Sequence, residues 1–352
     1  MPPSAEPRGG TDEPPRADAR RVRNLREGAL KIGTLKNPSR SLTNIVRYGL
    51  QLVLLAGLAY AGKRLVASGM LSTLGHASPL MLVASFGAAT AAQGMAAGRW
   101  WSLAPAGHGY ARLARIHVES HFWATLVPGG VAADGYRILA LRGRGADPHH
   151  VAASVMLERA IGLVALLLLT GPALGVGTMW LSSKLVISLS VLAGSLVAMV
   201  AGATIAALWA PVTGGRLRWL PAKVRSAAEQ LEHAFGSYRQ NPSRLVRALG
   251  FGLAYHGLFL VAYVLAGRAM GLDLSIARWF IAVPLASLVA TLPLNAWGIG
   301  VREGAIVLLL VALGASPAQA GAVSVAVVGL QIALGCSGGV SQLVRRRVRA
   351  AV

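Results

Sequence analysis

The chain has 352 residues, 54% of them hydrophobic and only 13% charged, against about 25% charged in an average soluble domain. Its formal net charge of +21 would point to nucleic acid in a soluble protein. Here the basic residues lie mainly between and outside apolar stretches, so nucleic acid is set aside and a membrane topology signal takes its place. The single cysteine, Cys336, excludes an internal disulfide.

Residues 1–42 come first, rich in Pro, Gly, Arg and acids and lacking the apolar core of a signal peptide. They read as a disordered basic cytoplasmic tail, with a surface anchor to anionic lipid as the alternative. Apolar spans are then expected at about 43–62, 79–98, 151–176, 185–209, 248–268, 276–292, 304–313 and 318–343. Each is read as a helix, because runs of roughly 20 apolar residues match a hydrocarbon core about 30 Å thick. Arg99, Trp100 and Trp101 end the second span and suit an interface belt. The fold class expected is therefore all-α: a polytopic membrane protein of about eight crossings, with its transmembrane domain over 43–344. Residues 345–352, with Arg345, Arg346, Arg347 and Arg349, form a basic cytoplasmic C-terminus. The stretches 99–144 and 215–247 are also rich in Arg and Lys. An even number of crossings puts all these segments, and both termini, on the cytoplasmic side of a bacterial inner membrane.

Two stretches are not simple spans. Residues 117–142 hold an apolar run, then Pro128, Gly129 and Gly130, then Asp134 and Arg137. Residues 283–303 hold Pro284, Pro293, Asn295, Gly298, Gly300, Arg302 and Glu303. Proline and glycine break helices, and broken backbone at membrane depth needs protein or a water-filled cavity around it. Both read as re-entrant hairpins: half-helix, break, half-helix. Ala124-Thr125-Leu126-Val127-Pro128 matches Ala290-Thr291-Leu292-Pro293, and each is followed by glycines, an acid and an arginine. The first hairpin would enter from the cytoplasm and the second from outside. That suggests an inverted repeat with a transport site near the midplane; chance likeness of short Pro/Gly loops is the alternative.

These residues also carry a family likeness. Leu126 to Arg137 resembles the LPGGxGGDxxR signature of the lysylphosphatidylglycerol synthase transmembrane-region family, also called flippase-like. Glu158-Arg159-Ala160-Ile161-Gly162-Leu163 resembles that family's acid-Arg-x-x-Gly-Leu element. Leu292 to Gly304 resembles its second signature, P…GGxGxRE. The departures are Ala132 and Ala133 in place of glycines, and Asn295 to Trp297 in place of a Pro/Gly pair. The resemblance, over about 48–344, implies lipid handling by the membrane region. The soluble aminoacyl-transferase domain of the bifunctional members has no counterpart here, so synthase activity is not carried over.

The chemistry points the same way. A charge at the centre of a membrane helix costs at least about 2.5–3.5 kcal/mol. Glu119, Asp134, Glu158 and Glu303 are the main acids near apolar segments. Arg137 and Arg302 offer forked donors to a lipid phosphate, with Asp134 and Glu303 to position them or to pair with a cationic headgroup. Half-helix N-termini near Gly130 and Gly300 add backbone donors. The substrate-binding candidates are thus Pro128, Gly129, Gly130, Asp134, Arg137, Glu158, Arg159, Asn295, Gly298, Gly300, Arg302 and Glu303. For the two arginines the alternative is interfacial charge; for Glu158–Arg159 it is a charge pair that closes the bundle.

Other patterns carry less. His117 and His121 share a helix face, but Glu119 lies off it and a catalytic zinc wants three ligands; a pH-sensing or headgroup-contacting pair is as good a reading. Gly335-Cys336-Ser337-Gly338-Gly339 fits G-x-S-x-G formally, yet lies in a span rather than a strand–turn–helix. Gly94 to Gly98 and Gly300 to Gly304 fit small-xxx-small packing. No Walker loop, metal site, catalytic set or cofactor is expected. The expected partners are membrane lipids with a phosphate-bearing headgroup, and an envelope-biosynthesis enzyme is a further candidate. The leading function is flippase-like movement of a phospholipid or lipid-linked precursor. The alternatives are a membrane enzyme or accessory subunit in lipid modification or lipid-linked glycosyl transfer, and an envelope scaffold.

Overall fold

The computed structural model describes residues 63, 66–127, 130–143, 145–209, 238, 241–291 and 300–350. The expected first span at 43–62, and most of the basic loop 215–247, lie outside the described residues. Described elements are α1 (Met70–Gly75), α2 (Pro79–Leu103), α3 (Tyr110–Leu126), α4 (Val131–Arg142), α5 (Pro148–Gly177), α6 (Ser183–Trp209), α7 (Pro242–Ala269), α8 (Ile276–Val289), α9 (Val301–Ala312) and α10 (Pro317–Ala350).

Local chemistry starts and stops these helices. Pro79, Pro148 and Pro242 stand in the first turn of α2, α5 and α7, where the missing N–H is no loss. Asp147 caps α5 by accepting from the His149 backbone N–H at 3.1 Å. The helix α7 starts six residues before the apolar run because Arg244, in its first turn, donates to the carbonyls of Ser102 and Ala104 at 2.9 and 2.7 Å. Those carbonyls sit at the end of α2, so the cation also meets the negative end of that helix.

Among the described residues four helices, α2, α5, α7 and α10, are long and apolar enough to cross a membrane. The shortest, α2 with 25 residues, is about 37 Å long at 1.5 Å per residue. Their outward faces carry bare apolar side chains: Leu80 is 73% exposed and Val83 69%. Such faces are stable against lipid and not against water. The protein is an all-α polytopic membrane protein.

The helices meet through residues that let backbones approach. A Cβ on Gly98 would fall 2.7 Å from the Phe251 ring, which seats α2 against α7. A Cβ on Gly338 would fall 2.2 Å from the Val118 carbonyl oxygen, which seats α10 against α3. Gly335 and Gly339 likewise face Thr125 and Phe122. The formal G-x-S-x-G run is therefore a glycine face for helix contact, within α10. Gly304, by contrast, has nothing within 4 Å of its added Cβ, so the second small-xxx-small match does not pack. One large core gathers Phe259, Tyr263, Trp279, Ile281, Leu285 and Leu310. A smaller one joins Trp100, Leu113, Ile116, Leu141 and Val155 and seats the first broken hairpin.

Both broken stretches are half-helix pairs. The helices α3 and α4 pack on one another across residues 127–130, and α8 and α9 across 290–300. Their 12 residues make α4 and α9 about 18 Å long, and α8 with 14 is about 21 Å. Each is too short for a perpendicular crossing alone. The apolar runs near 276–292 and 304–313 are accordingly the two arms of the second break.

Candidate functional site

The first broken hairpin is held by a buried charge cluster. Glu158 of α5 is 3% exposed and receives two guanidinium groups. Arg99, from the end of α2, donates from Nε at 2.8 Å and also from Nη2. Arg137, from α4, donates from Nη1 at 3.1 Å. Arg137 also donates from Nε to Ser120 at 3.2 Å and from Nη2 to His117 Nδ1 at 2.6 Å, and it lies over the Trp100 ring at 5.2 Å. Every fork of Arg137 is thus engaged, which is how a buried charge becomes tolerable.

This arrangement corrects two pairings expected from local sequence. Asp134 does not position Arg137; it pairs with Arg159 of α5 at 2.6 Å. Glu158 and Arg159 do not pair with each other, because neighbours on a helix point about 100° apart. Glu158 points inward to Arg99 and Arg137, and Arg159 points to the break. Gly162, one turn on from Glu158, leaves the passage: a Cβ there would lie 2.7 Å from Arg99 Nη1. The acid-Arg-x-x-Gly-Leu element is therefore one device, with two charges for two different partners and a gap that admits one of them.

At the break, Gly130 caps α4 with φ +71°, a conformation that glycine adopts without cost. A Cβ there would meet Arg159 Nη2 at 2.8 Å, and Arg159 donates to the Gly130 carbonyl at 3.4 Å. Arg159 stays 54% exposed and Asp134 24%, so this pair, unlike Arg137–Glu158, is open to a ligand. Pro128 and Gly129 lie outside the described residues.

The second break carries its own group. Gly300, φ +132°, caps α9 and its N–H donates to the Glu303 carboxylate at 2.7 Å, so one of the expected backbone donors is taken by the helix's own acid. Glu303 in turn accepts from Arg302 Nη2 at 2.6 Å, which is the positioning expected from sequence. Arg302 also donates to Gln331 Oε1 of α10 at 2.7 Å. Gln331 Nε2 is buried without a hydrogen-bond partner among the described residues. Asn295 and Gly298 lie outside the described residues.

The two groups meet on α7. Arg99 lies over the Tyr255 ring at 5.5 Å, Tyr255 stacks on Phe259 at 5.7 Å and 10°, and Arg302 lies over Phe259 at 5.8 Å. An aromatic pair one turn apart thus has a guanidinium of each group against it, a contact each ring's π face favours. Arg99 was legible only as an interface residue; its signal was Glu158, a buried acid that needs a cation.

Two further features border the cluster. A cavity of about 230 Å³ opens between α2, α3 and α10, lined by Thr90, Gln93, Val118, His121, Leu334 and Ser337 among others. Glu119, fully buried, accepts from Tyr136 and from Ser341 at 3.3 Å, and has Arg345 at 3.6 Å; it ties α3 and α4 to α10. Among the described residues, no three His, Cys, Asp or Glu side chains come together as a metal site.

Against known proteins, neither a curated protein nor a solved structure matches this chain. A family does: the model of the lysylphosphatidylglycerol synthase TM region matches residues 48–337. That range takes in both breaks, Arg99, the Glu158 element and nearly all the described helices. The chain belongs to the lysylphosphatidylglycerol synthase TM region family.

Proposed function

We propose that this protein moves a phospholipid or lipid-linked precursor across the cytoplasmic membrane of a bacterium in a flippase-like manner, with both termini in the cytoplasm. The observation that carries the reading is the convergence of two broken-helix charge groups on the Tyr255–Phe259 stack. Charges inside a membrane are expensive and mark substrate paths. Broken helices in corresponding positions of two halves mark a transport site.

The groups divide the labour by exposure. Arg137 and Glu158 are buried and spent on each other, so they hold the first hairpin. Arg159 and Asp134 are open at the break and suit a headgroup with a phosphate and a cationic or hydroxyl part. Arg302, with a Gln331 Nε2–H beside it that has no partner among the described residues, suits the phosphate on the other side. The positive-inside distribution of the basic segments supports the orientation.

Reconstitution into proteoliposomes tests this. Transbilayer movement of labelled phosphatidylglycerol, phosphatidylethanolamine and phosphatidylcholine is followed by dithionite quenching. The reading requires headgroup-selective movement above that of empty vesicles. Folded protein that moves none of them, with or without ion gradients, overturns it.

A further inference from the structure

The histidine pair on α3 adjoins both the cavity and the buried cluster, and its hydrogen bonds fix its protons. His117 is 3% exposed. Its Nδ1 lies 2.6 Å from Arg137 Nη2. A guanidinium has donors only, so Nδ1 accepts, the ring is neutral and its one proton sits on Nε2. That Nε2 has two acceptors in reach, Gln93 Oε1 at 3.3 Å and His121 Nε2 at 3.3 Å. The two rings lie edge to face, 4.9 Å apart at 83°. His121, not His117, lines the cavity.

We infer that His121 is a proton-binding site reached from this cavity, and that a proton taken up there moves the His117 Nε2–H from His121 to Gln93. When His117 Nε2–H donates to His121 Nε2, the His121 proton is on Nδ1. An incoming proton then takes the lone pair of His121 Nε2 and displaces that hydrogen bond. Two N–H groups now face each other across 3.3 Å. His117 relieves this by giving its Nε2–H to Gln93 Oε1, 3.3 Å away, and keeps its hydrogen bond from Arg137. A hydrogen bond within α3 is thereby exchanged for one to α2. One proton is bound and none is released.

The charged groups around the pair set what accompanies the proton. From α2 come Arg99 and Gln93, from α4 Arg137, from α5 Glu158; α3 itself adds Ser120, and α10 places Ser337 on the cavity wall. Two guanidinium groups face one carboxylate. A proton added there meets an excess positive charge, which an anion entering the cavity offsets. Proton and anion uptake therefore favour each other, and by linkage to the same degree. Resting on the proposed function, the anion is a lipid phosphate, and the pair makes its movement proton-linked.

The test reads the protons directly and needs no lipid movement. Protein with ¹⁵N-labelled histidine in nanodiscs of zwitterionic lipid is titrated by NMR, with His117→Gln and His121→Gln used to assign the two rings. The inference requires a neutral His117 protonated on Nε2 at neutral pH, a His121 that titrates, and a His117 Nε2 signal that shifts with the same midpoint. It also requires short-chain phosphatidylglycerol to raise the proton affinity of His121 at least about fivefold, the low end of ordinary coupling, while short-chain phosphatidylcholine raises it less. A His117 protonated on Nδ1, or two rings that titrate independently, overturns the proton site. A shared midpoint unmoved by the anionic lipid overturns the linkage. A variant that folds is enough to assign its own ring in the wild-type spectrum, His117→Ala and His121→Ala serving where a glutamine variant fails to fold, and vesicles that move lipid with no pH dependence separate failure here from failure of the transport reading.

Discussion

Removing the charge of Glu158 is the sharpest perturbation of the buried cluster. Glu158→Gln keeps the size and one acceptor oxygen. It leaves Arg99 and Arg137, with side chains 11% and 9% exposed, facing each other with no counter-charge. Breaking a buried ion pair from one side costs about 3–5 kcal/mol, which is roughly two to three and a half orders of magnitude in the unfolding equilibrium. Unfolding in mixed detergent–SDS micelles, followed by far-UV circular dichroism and tryptophan emission, measures the loss. Trp100 lies on Arg137, so its emission also reports the local change. The Arg99→Gln/Glu158→Gln double variant removes one of the two stranded cations. It is expected to recover part of the loss, with a coupling of about 0.5–3 kcal/mol. The control is Asp134→Asn, which breaks a half-exposed pair and should cost no more than about 1 kcal/mol. A Glu158→Gln loss below about 1 kcal/mol, or strict additivity with Arg99→Gln, would refute the claim that this cluster holds the hairpin.

Other consequences follow from close contacts and caps. Gly338→Ala drives a Cβ into the Val118 carbonyl and should destabilise the α3–α10 seam by about 1–3 kcal/mol, whereas Gly304→Ala, with open space, should be neutral or stabilising by up to about 1 kcal/mol; the same unfolding assay compares them. Gly162→Ala should push Arg99 off Glu158 and lower the stability gap between wild type and Glu158→Gln, seen as non-additivity in the double variant. Asp147→Ala should cost about 1 kcal/mol through loss of the α5 cap, while Asp147→Asn, which keeps the cap, should cost less. The hydrogen bond from His150 holds the Asp147 carboxyl below its ordinary range. Its small contribution is present above the ordinary carboxylate range and is lost as pH falls through the lowered value; stability–pH series on wild type and Asp147→Asn should differ by that contribution above the range and lose that difference on the acid side.

Much of the fold was written in apolar run length, and its edges show where tertiary contacts took over. The second span reads as ending at Gly98, where Arg99 begins. The helix runs on to Leu103 because Glu158 draws Arg99 inward and Arg244 and Tyr238 cover the last carbonyls. Both breaks were legible because proline and glycine interrupt apolar runs there. Their caps are Gly130 and Gly300, the glycines of the two signatures. The acids were legible as a set, since few charges sit among so many apolar residues. Their partners were not: Asp134 and Arg137 are three apart in sequence, yet each prefers a charge on α5, and the choice depends on which face of α4 each occupies. Gln93 and Gln331, neutral and unremarkable in sequence, entered the site only through distance.

The central claim is that both breaks handle the same lipid. Its most direct test is the transbilayer flux of labelled phosphatidylglycerol in proteoliposomes bearing wild type, Asp134→Asn/Arg159→Gln, or Arg302→Lys, each shown to be folded. The account predicts that wild type exceeds empty vesicles and that each variant loses at least about tenfold, the equivalent of roughly 1.4 kcal/mol of forked contact. Flux equal to wild type in both variants, or to empty vesicles in all three, would contradict it.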